Sequence, residues 1–154
     1  MINENFGNLI APILDDPTQS QIGLDAEDIS KAVWEKLIMV ASIGSIMCYS
    51  NMDAKSTVNE KLYLSILEGM IIEMTNASIS IGVNIDENYA KDTLKYILNR
   101  SENLHSSLKE DFDQKRPLEV DEILGEAYRT GVKNNVDMTN CKMVYEKLIK
   151  FAKV

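Results

Sequence analysis

Four side chains in this sequence could act together on a small molecule: Lys36, Ser106, Ser107 and Glu119. An ammonium, two hydroxyl donors and a carboxylate acceptor suit a ligand that carries a carboxylate, a carbonyl and a hydroxyl. In such a site Lys36 could protonate an oxyanion developing on a carbonyl. Position alone leaves two roles open to Lys36. It lies between Trp34 and Leu37, where an apolar helical stretch begins. There a lysine can snorkel to water or be held as a proton donor.

The stretch from Ser106 to Gly125 also has a purely structural reading. Pro117 fits a first helical position, where its missing N–H costs nothing. Asp113, Glu119 and Glu122 put negative charge near a helix N-terminus, which the helix dipole favours.

The elements that must hold these groups read as helices. Asp25 is an N-cap, with Asp28 three residues on. Ile29, Val33, Leu37, Val40, Ile43 or Gly44, and Met47 then recur at helical spacing, to about Tyr49. After Lys36 this helix is apolar on nearly all faces, so it should be central and buried. Ser50 to Thr57 reads as a loop. A second long helix covers roughly Asn59 to Ile81. Its stripe is Leu62, Ile66, Met70, Met74 and Ala77, widened by Ile71, Ile72 and Ile81, and its methionines read as core filler. Asp86 should cap a third helix, ending near Asn99, with Tyr89, Leu94, Ile97 and Leu98 inward. Ser101 to Arg116 is polar, with room for one short helix. A helix from Leu118 to about Lys133 should bury Val120, Ile123, Leu124 and Ala127, ended by Gly131 and Asn134-Asn135. Thr139 should cap a last helix carrying Met143, Leu148, Ile149 and Phe151. The expected fold is an all-α bundle of about five to six helices over residues 25–154, with residues 1–24 as a lead-in or linker remnant.

Composition limits the function. The 154 residues suggest one domain, and 45% are apolar, enough for a core. The net charge is -8, and Lys115-Arg116 is the only adjacent basic pair of note, so no nucleic-acid footprint is present. Cys48, Cys141 and the single His105 lack metal-ligand spacing, so no metal site is expected. Cys48 should be a buried thiol. No basic segment leads into an apolar run at the N-terminus, and Leu37 to Cys48 is too short to span a bilayer, so a cytoplasmic location without membrane contact is expected.

Trp34-Glu35-Lys36-Leu37, then Ser107-Leu108 with Asp111, Arg116, Glu119-Val120 and Gly125, resemble the C-terminal domain of ketopantoate reductase (2-dehydropantoate 2-reductase). The family pattern is Trp-x-Lys-Leu, later Ser-Met-x-x-Asp, then Arg-x-x-Glu-Ile-Asp with a glycine. The resemblance runs from about Asp25 to the C-terminus. It implies the 6-phosphogluconate dehydrogenase C-terminal-like helical fold and NADPH-dependent reduction of 2-dehydropantoate to pantoate, on the route to pantothenate and coenzyme A. It implies that Lys36 is the general acid, that Ser107 binds the substrate carboxylate and that Glu119 binds its hydroxyl. Asp111 and Gly125 read as structural. The family usually has an asparagine four residues after the lysine, and often another four further on; here these are Val40 and Gly44. The asparagine usual three residues before the serine is Leu104 here, beside Asn103.

A nicotinamide enzyme also needs a glycine fingerprint to cradle the pyrophosphate. The glycines are Gly7, Gly23, Gly44, Gly69, Gly82, Gly125 and Gly131, so no G-x-G exists. No cofactor-binding residue is therefore expected in this chain, and NADPH is implied only for the complete enzyme, with a Rossmann-domain partner. The alternative is a stand-alone, non-catalytic helical module for dimerisation or ligand binding. Lys36 and Glu119 are expected to share a cleft with Ser107 near its rim. Exposed apolar surface on the long helices should favour a homodimer.

Overall fold

The computed structural model describes residues 25–152; the lead-in expected over residues 1–24 lies outside them. Helix α1 (Ala26–Ser50) begins at a capping box: the Asp25 carboxylate accepts from Asp28 N at 2.8 Å, and the Asp28 carboxylate accepts from Asp25 N. Residues 41–48 are buried on every side. By length and composition α1 could cross a bilayer, a longer apolar stretch than Leu37 to Cys48 suggested, but two-thirds of that stretch is buried inside the fold (67%). The other elements are layered around it. Cys48 is buried, and burial pushes its thiol up to about 12.

The segment expected to be a loop holds helix α2 (Ala54–Asn59). Asp53 caps it, accepting from Ser56 N at 2.8 Å, while Thr57 Oγ1 donates to the Asp53 carbonyl at 2.7 Å. The polar run that suggested a loop is the cap itself. Helix α3 (Lys61–Ser80) buries Ile66, Leu67, Met70, Ile71, Met74 and Ala77 against α1. Leu62, Ile72 and Ile81, expected inside, are exposed. Ile72 points about 200° around the helix from Met70, and Ile81 lies past the last turn.

Helix α4 (Tyr89–Arg100) starts three residues beyond the expected cap. Asp86 instead closes a turn, accepting from Asn88 N at 2.8 Å. Ile97 faces inward as expected, with Thr93 beside it, whereas Leu98, expected inside, is exposed. A 3-10 turn (Ser101–Asn103) leads to helix α5 (Ser107–Asp113). Pro117 does not open a helix. Leu118 forms a parallel bridge with Ala152, donating to the Phe151 carbonyl at 2.8 Å, and a π-helical turn (Asp121–Gly125) runs into helix α6 (Glu126–Lys133). Helix α7 (Thr139–Leu148) buries Cys141, Val144 and Leu148, while Met143 and Phe151 are exposed. The described residues thus hold seven α-helices, one more than the upper expectation, and no β-strand.

Thr139 is not the cap of α7. Its N-terminal amides are taken by Glu73 of α3, a residue only 7% exposed. The Glu73 carboxylate accepts from Asn140 N at 2.6 Å and from Cys141 N at 3.3 Å, and so stitches α3 to α7. Burial holds its carboxyl above the ordinary 4.5, against the lowering effect of those N–H donors. A group raised on folding adds stability while protonated and loses that contribution as pH rises through its folded pKa. Glu73→Ala should therefore cost about 1–3 kcal/mol in urea unfolding, through orphaned amides. The stability of the wild type relative to Glu73→Gln should fall as pH is raised above 4.5.

Candidate functional site

Lys36 is half-buried on α1, flanked by the buried Trp34 and Leu37. Its backbone is fixed from α4, where the Tyr89 hydroxyl donates to the Glu35 carbonyl at 2.6 Å. The neighbouring Glu35 carboxylate faces Lys31 at 3.9 Å. Burial raises the Glu35 pKa, and Lys31 partly offsets this. Among the described residues no carboxylate pairs with Lys36, so its ammonium is not neutralised within the fold.

Ser106 is the N-cap of α5, accepting from Lys109 N at 3.3 Å. It is pressed onto α1 at Gly44. A Cβ at position 44 would stand 2.7 Å from Ser106 Oγ and 3.4 Å from Leu108 Cβ. Gly44 comes eight residues after Lys36, which is about 12 Å along the helix and about 80° around it. The structure thus brings Ser106 to the helix that carries Lys36, two turns further on. Ser107 is exposed at the first position of α5. Glu119 is exposed just before the helical turn, and its carbonyl accepts from Ile123 N at 3.3 Å. Both α5 and the π-helical turn pack on α1. The elements bearing all four residues therefore meet on one helix.

Two cavities among the described residues lie elsewhere on these elements. One, of about 730 Å³, includes Ser106, His105 and Lys109, with the Lys55–Glu102 ion pair (2.7 Å) at its wall. The other, of about 600 Å³, lies between residues 112–118 and 150–152. Lys36, Ser107 and Glu119 line neither.

The π-helical turn after Glu119 is held by a cluster that the motif reading did not reveal. Arg129 Nη1 and the Tyr145 hydroxyl donate to Asp121 Oδ1 at 2.7 and 2.5 Å, and Arg129 Nη2 donates to Glu126 at 3.0 Å. The Tyr145 and Arg129 hydrogen bonds hold the Asp121 carboxyl below its ordinary value. Gly125 gives the cluster room: a Cβ there would stand 2.7 Å from Asp121 Oδ1 and 2.9 Å from Tyr145 Cε2. Two-turn spacing of Asp121 and Arg129 is a signal present in the sequence; nothing local announces Tyr145. Asp111 is structural too, accepting from Arg116 Nε at 2.8 Å. Two buried atoms on these elements, Ser45 Oγ and Glu122 Oε2, have no hydrogen-bond partner among the described residues.

A helical domain built on one buried helix, with an unpaired lysine at its polar end and a glycine-dependent π-helical turn packed beside it, is the class these features define. The chain belongs to the ketopantoate reductase PanE/ApbA C-terminal family, which matches residues 28–152. It is 23% identical to a 2-dehydropantoate 2-reductase of Nostoc sp. over 122 residues, covering 79% of this chain and 38% of the relative. Its fold is similar to that of the dimeric ketopantoate reductase from Staphylococcus aureus (TM-score 0.76, 21% identity, 83% of this chain and 44% of that one). It is also similar to the 2-dehydropantoate 2-reductase from Methylococcus capsulatus (TM-score 0.73, 19% identity, 99% and 53%). The chain spans roughly two-fifths to one-half of the length of these relatives.

Gly125→Ala should force Asp121 and Tyr145 apart and lower stability by about 1–3 kcal/mol. A fall in the thermal midpoint checks it; an unchanged midpoint would show that the cluster yields freely.

Proposed function

We propose that this chain is the substrate-binding, catalytic-lysine half of a ketopantoate reductase-like oxidoreductase, complete only when a Rossmann domain supplies the dinucleotide site. The observation that carries this reading is the family match over residues 28–152, which contains Lys36, Ser106, Ser107 and Glu119. Lys36 gives its proton to the carbonyl oxygen as that oxygen becomes an alkoxide, and so acts as general acid. Ser107, with Ser106 beside it, holds the substrate carboxylate, and Glu119 accepts from its hydroxyl. NADPH, when bound to the complete enzyme, supplies the hydride. The residues of this chain do not fit that cofactor by themselves, since no G-x-G turn is present. Function in the cytoplasm accords with this reading.

One observation favours the second reading, a non-catalytic helical module for dimerisation or ligand binding. The place of the family's second amide is closed here, because Ser106 Oγ occupies the space beside Gly44. A ketopantoate site rebuilt around that contact must hold its ligand with fewer amides.

Two measurements separate the readings. The chain alone should show neither micromolar NADPH binding by calorimetry nor ketopantoate-dependent NADPH oxidation. Combined with a dinucleotide-binding half, it should turn over, and Lys36→Ala should lower kcat by about 10²–10⁴-fold. Absence of turnover in the combined protein would end the reductase reading, and turnover that survives Lys36→Ala would end the role of Lys36 as general acid. The relative from Staphylococcus aureus is dimeric, and Leu62, Ile72 and Ile79 leave apolar surface on α3. Light scattering should therefore give a mass twice the 17.3 kDa of the chain; a strictly monomeric mass at high concentration would refute self-association.

A further inference from the structure

The second cavity combines cations that the fold does not use with an aromatic wall. Lys115 and Arg116 approach it from the end of α5, and Lys150 from the 3-10 turn (Ile149–Phe151) after α7. The Leu118–Ala152 bridge draws these two segments together. Arg116 is engaged by Asp111, Glu110 and Gln114. Asp113, the one acid on the wall, is engaged by Lys109. Lys115 and Lys150 have no acidic partner and donate no side-chain hydrogen bond among the described residues; Lys150 only lies 5.4 Å from the Phe151 ring centre. Lys147, one turn before Lys150, shows the ordinary alternative, since its ammonium donates to the Tyr49 carbonyl at 3.1 Å. Phe151 stands edge-to-face with Phe112 at 5.4 Å and is 42% exposed, so part of its ring is open to a ligand.

The backbone makes Lys115 harder to explain as filler. It closes α5 in the left-handed conformation, φ 57, a place where glycine is least strained. Three other helices end in the same way, and there the left-handed residue is Asn51, Gly82 or Asn135. A lysine at that point is the one choice of the four that brings a charge and no conformational advantage. The backbone N–H of residue 115 closes the helix on the Phe112 carbonyl at 3.1 Å, a bond that asparagine or glycine would supply with less strain, so what lysine adds there is its charge.

We propose that this cleft binds a phosphate monoester attached to a flat aromatic ring system, with the phosphate between Lys115 and Lys150 and the ring against Phe151. The two unpartnered ammonium groups match a doubly charged phosphate. The exposed aromatic surface rewards a ligand with a ring of its own. The site is independent of the reductase reading, because none of its residues is among Lys36, Ser106, Ser107 and Glu119.

The test uses the whole chain, isotope-labelled, at low salt, with AMP as the probe and adenosine and inorganic phosphate as controls. AMP should shift amide resonances in residues 112–118 and 149–152, and raised salt should weaken the effect. Lys150→Ala should weaken AMP by about tenfold, the loss of one charge-assisted contact. Lys115→Gly should weaken AMP similarly while raising the thermal midpoint, since glycine relieves the left-handed strain. That pairing of lost binding with gained stability separates a binding role from a structural one. Lys36→Ala should leave AMP binding unchanged, so failure here and failure of the reductase reading are distinguishable. Shifts confined to other residues, equal response to adenosine, or AMP affinity unchanged in both lysine variants would overturn the proposal. Inorganic phosphate binding as tightly as AMP would overturn its aromatic half.

Discussion

Everything else in this fold answers to the apolarity of α1. Leu37, Ile38, Ala41 and Ile46 have no accessible surface, and residues 41–48 have no solvent face at all. Each large side chain buried in this way contributes about 1.5–3 kcal/mol, but only if other elements cover it. A helix apolar on one stripe needs one neighbour; one apolar all round needs a jacket. Helices α2, α3, α5 and α7 and the π-helical turn all pack on α1 for that reason. The consequence for chemistry is direct. The charged residues of α1 are confined to its N-terminal half, Glu27 to Lys36, and Lys36 is the last of them before the buried stretch.

The other end of α1 solves the same problem differently. The last carbonyls of a helix lack partners and carry partial negative charge. Asn51 turns left-handed so that Asn51 N and Met52 N bond the Cys48 and Met47 carbonyls, and Lys147 reaches the Tyr49 carbonyl. Lys109, nearly buried, places its ammonium between Asn51 and Asp113. Asp113 lines both cavities, so this ion pair is the partition between them. The basic character of this end begins as helix termination. Lys115 and Lys150 are what is left after termination is complete.

The sequence made α1 legible because its signals agree: an acidic cap, a helical period and an apolar run all specify one element. The core of α3 was legible for the same reason, although its period could not say which turn would run out of neighbours, hence the exposed Leu62 and Ile81. What was hidden depended on partners distant in the chain. Glu73 looks like a misplaced charge in an apolar stripe until α7 arrives 67 residues later with amides to cap. Pro117 looks like a helix start until Leu118 is seen bonded to the 3-10 turn at Phe151. For the candidate site, residue types and spacing were legible, as was the helix that carries Lys36. Its supports, Arg129 and Tyr145 on Asp121 and Tyr89 on the backbone at Lys36, were not, because each is a tertiary contact without a local pattern.

Gly44 couples the covering of α1 to the placement of α5. On a helix that must be covered everywhere, a missing side chain is an opening, and here α5 fills it with its own cap, Ser106, together with Leu108. Gly44 therefore sets how closely α5 approaches α1, and with it the position of Ser107, the next residue. A larger residue at 44 would push Ser106 outward and move Ser107 with it, since a cap and the first residue of its helix are adjacent in a rigid turn. The distance from Lys36 to the α5 hydroxyls is thus governed by a position that carries no functional group. Sites on a rigid scaffold change in this way: the contact that spaces two elements alters the geometry of every group they hold. In this chain the absence of a side chain at 44 and the seating of Ser106 are one structural fact.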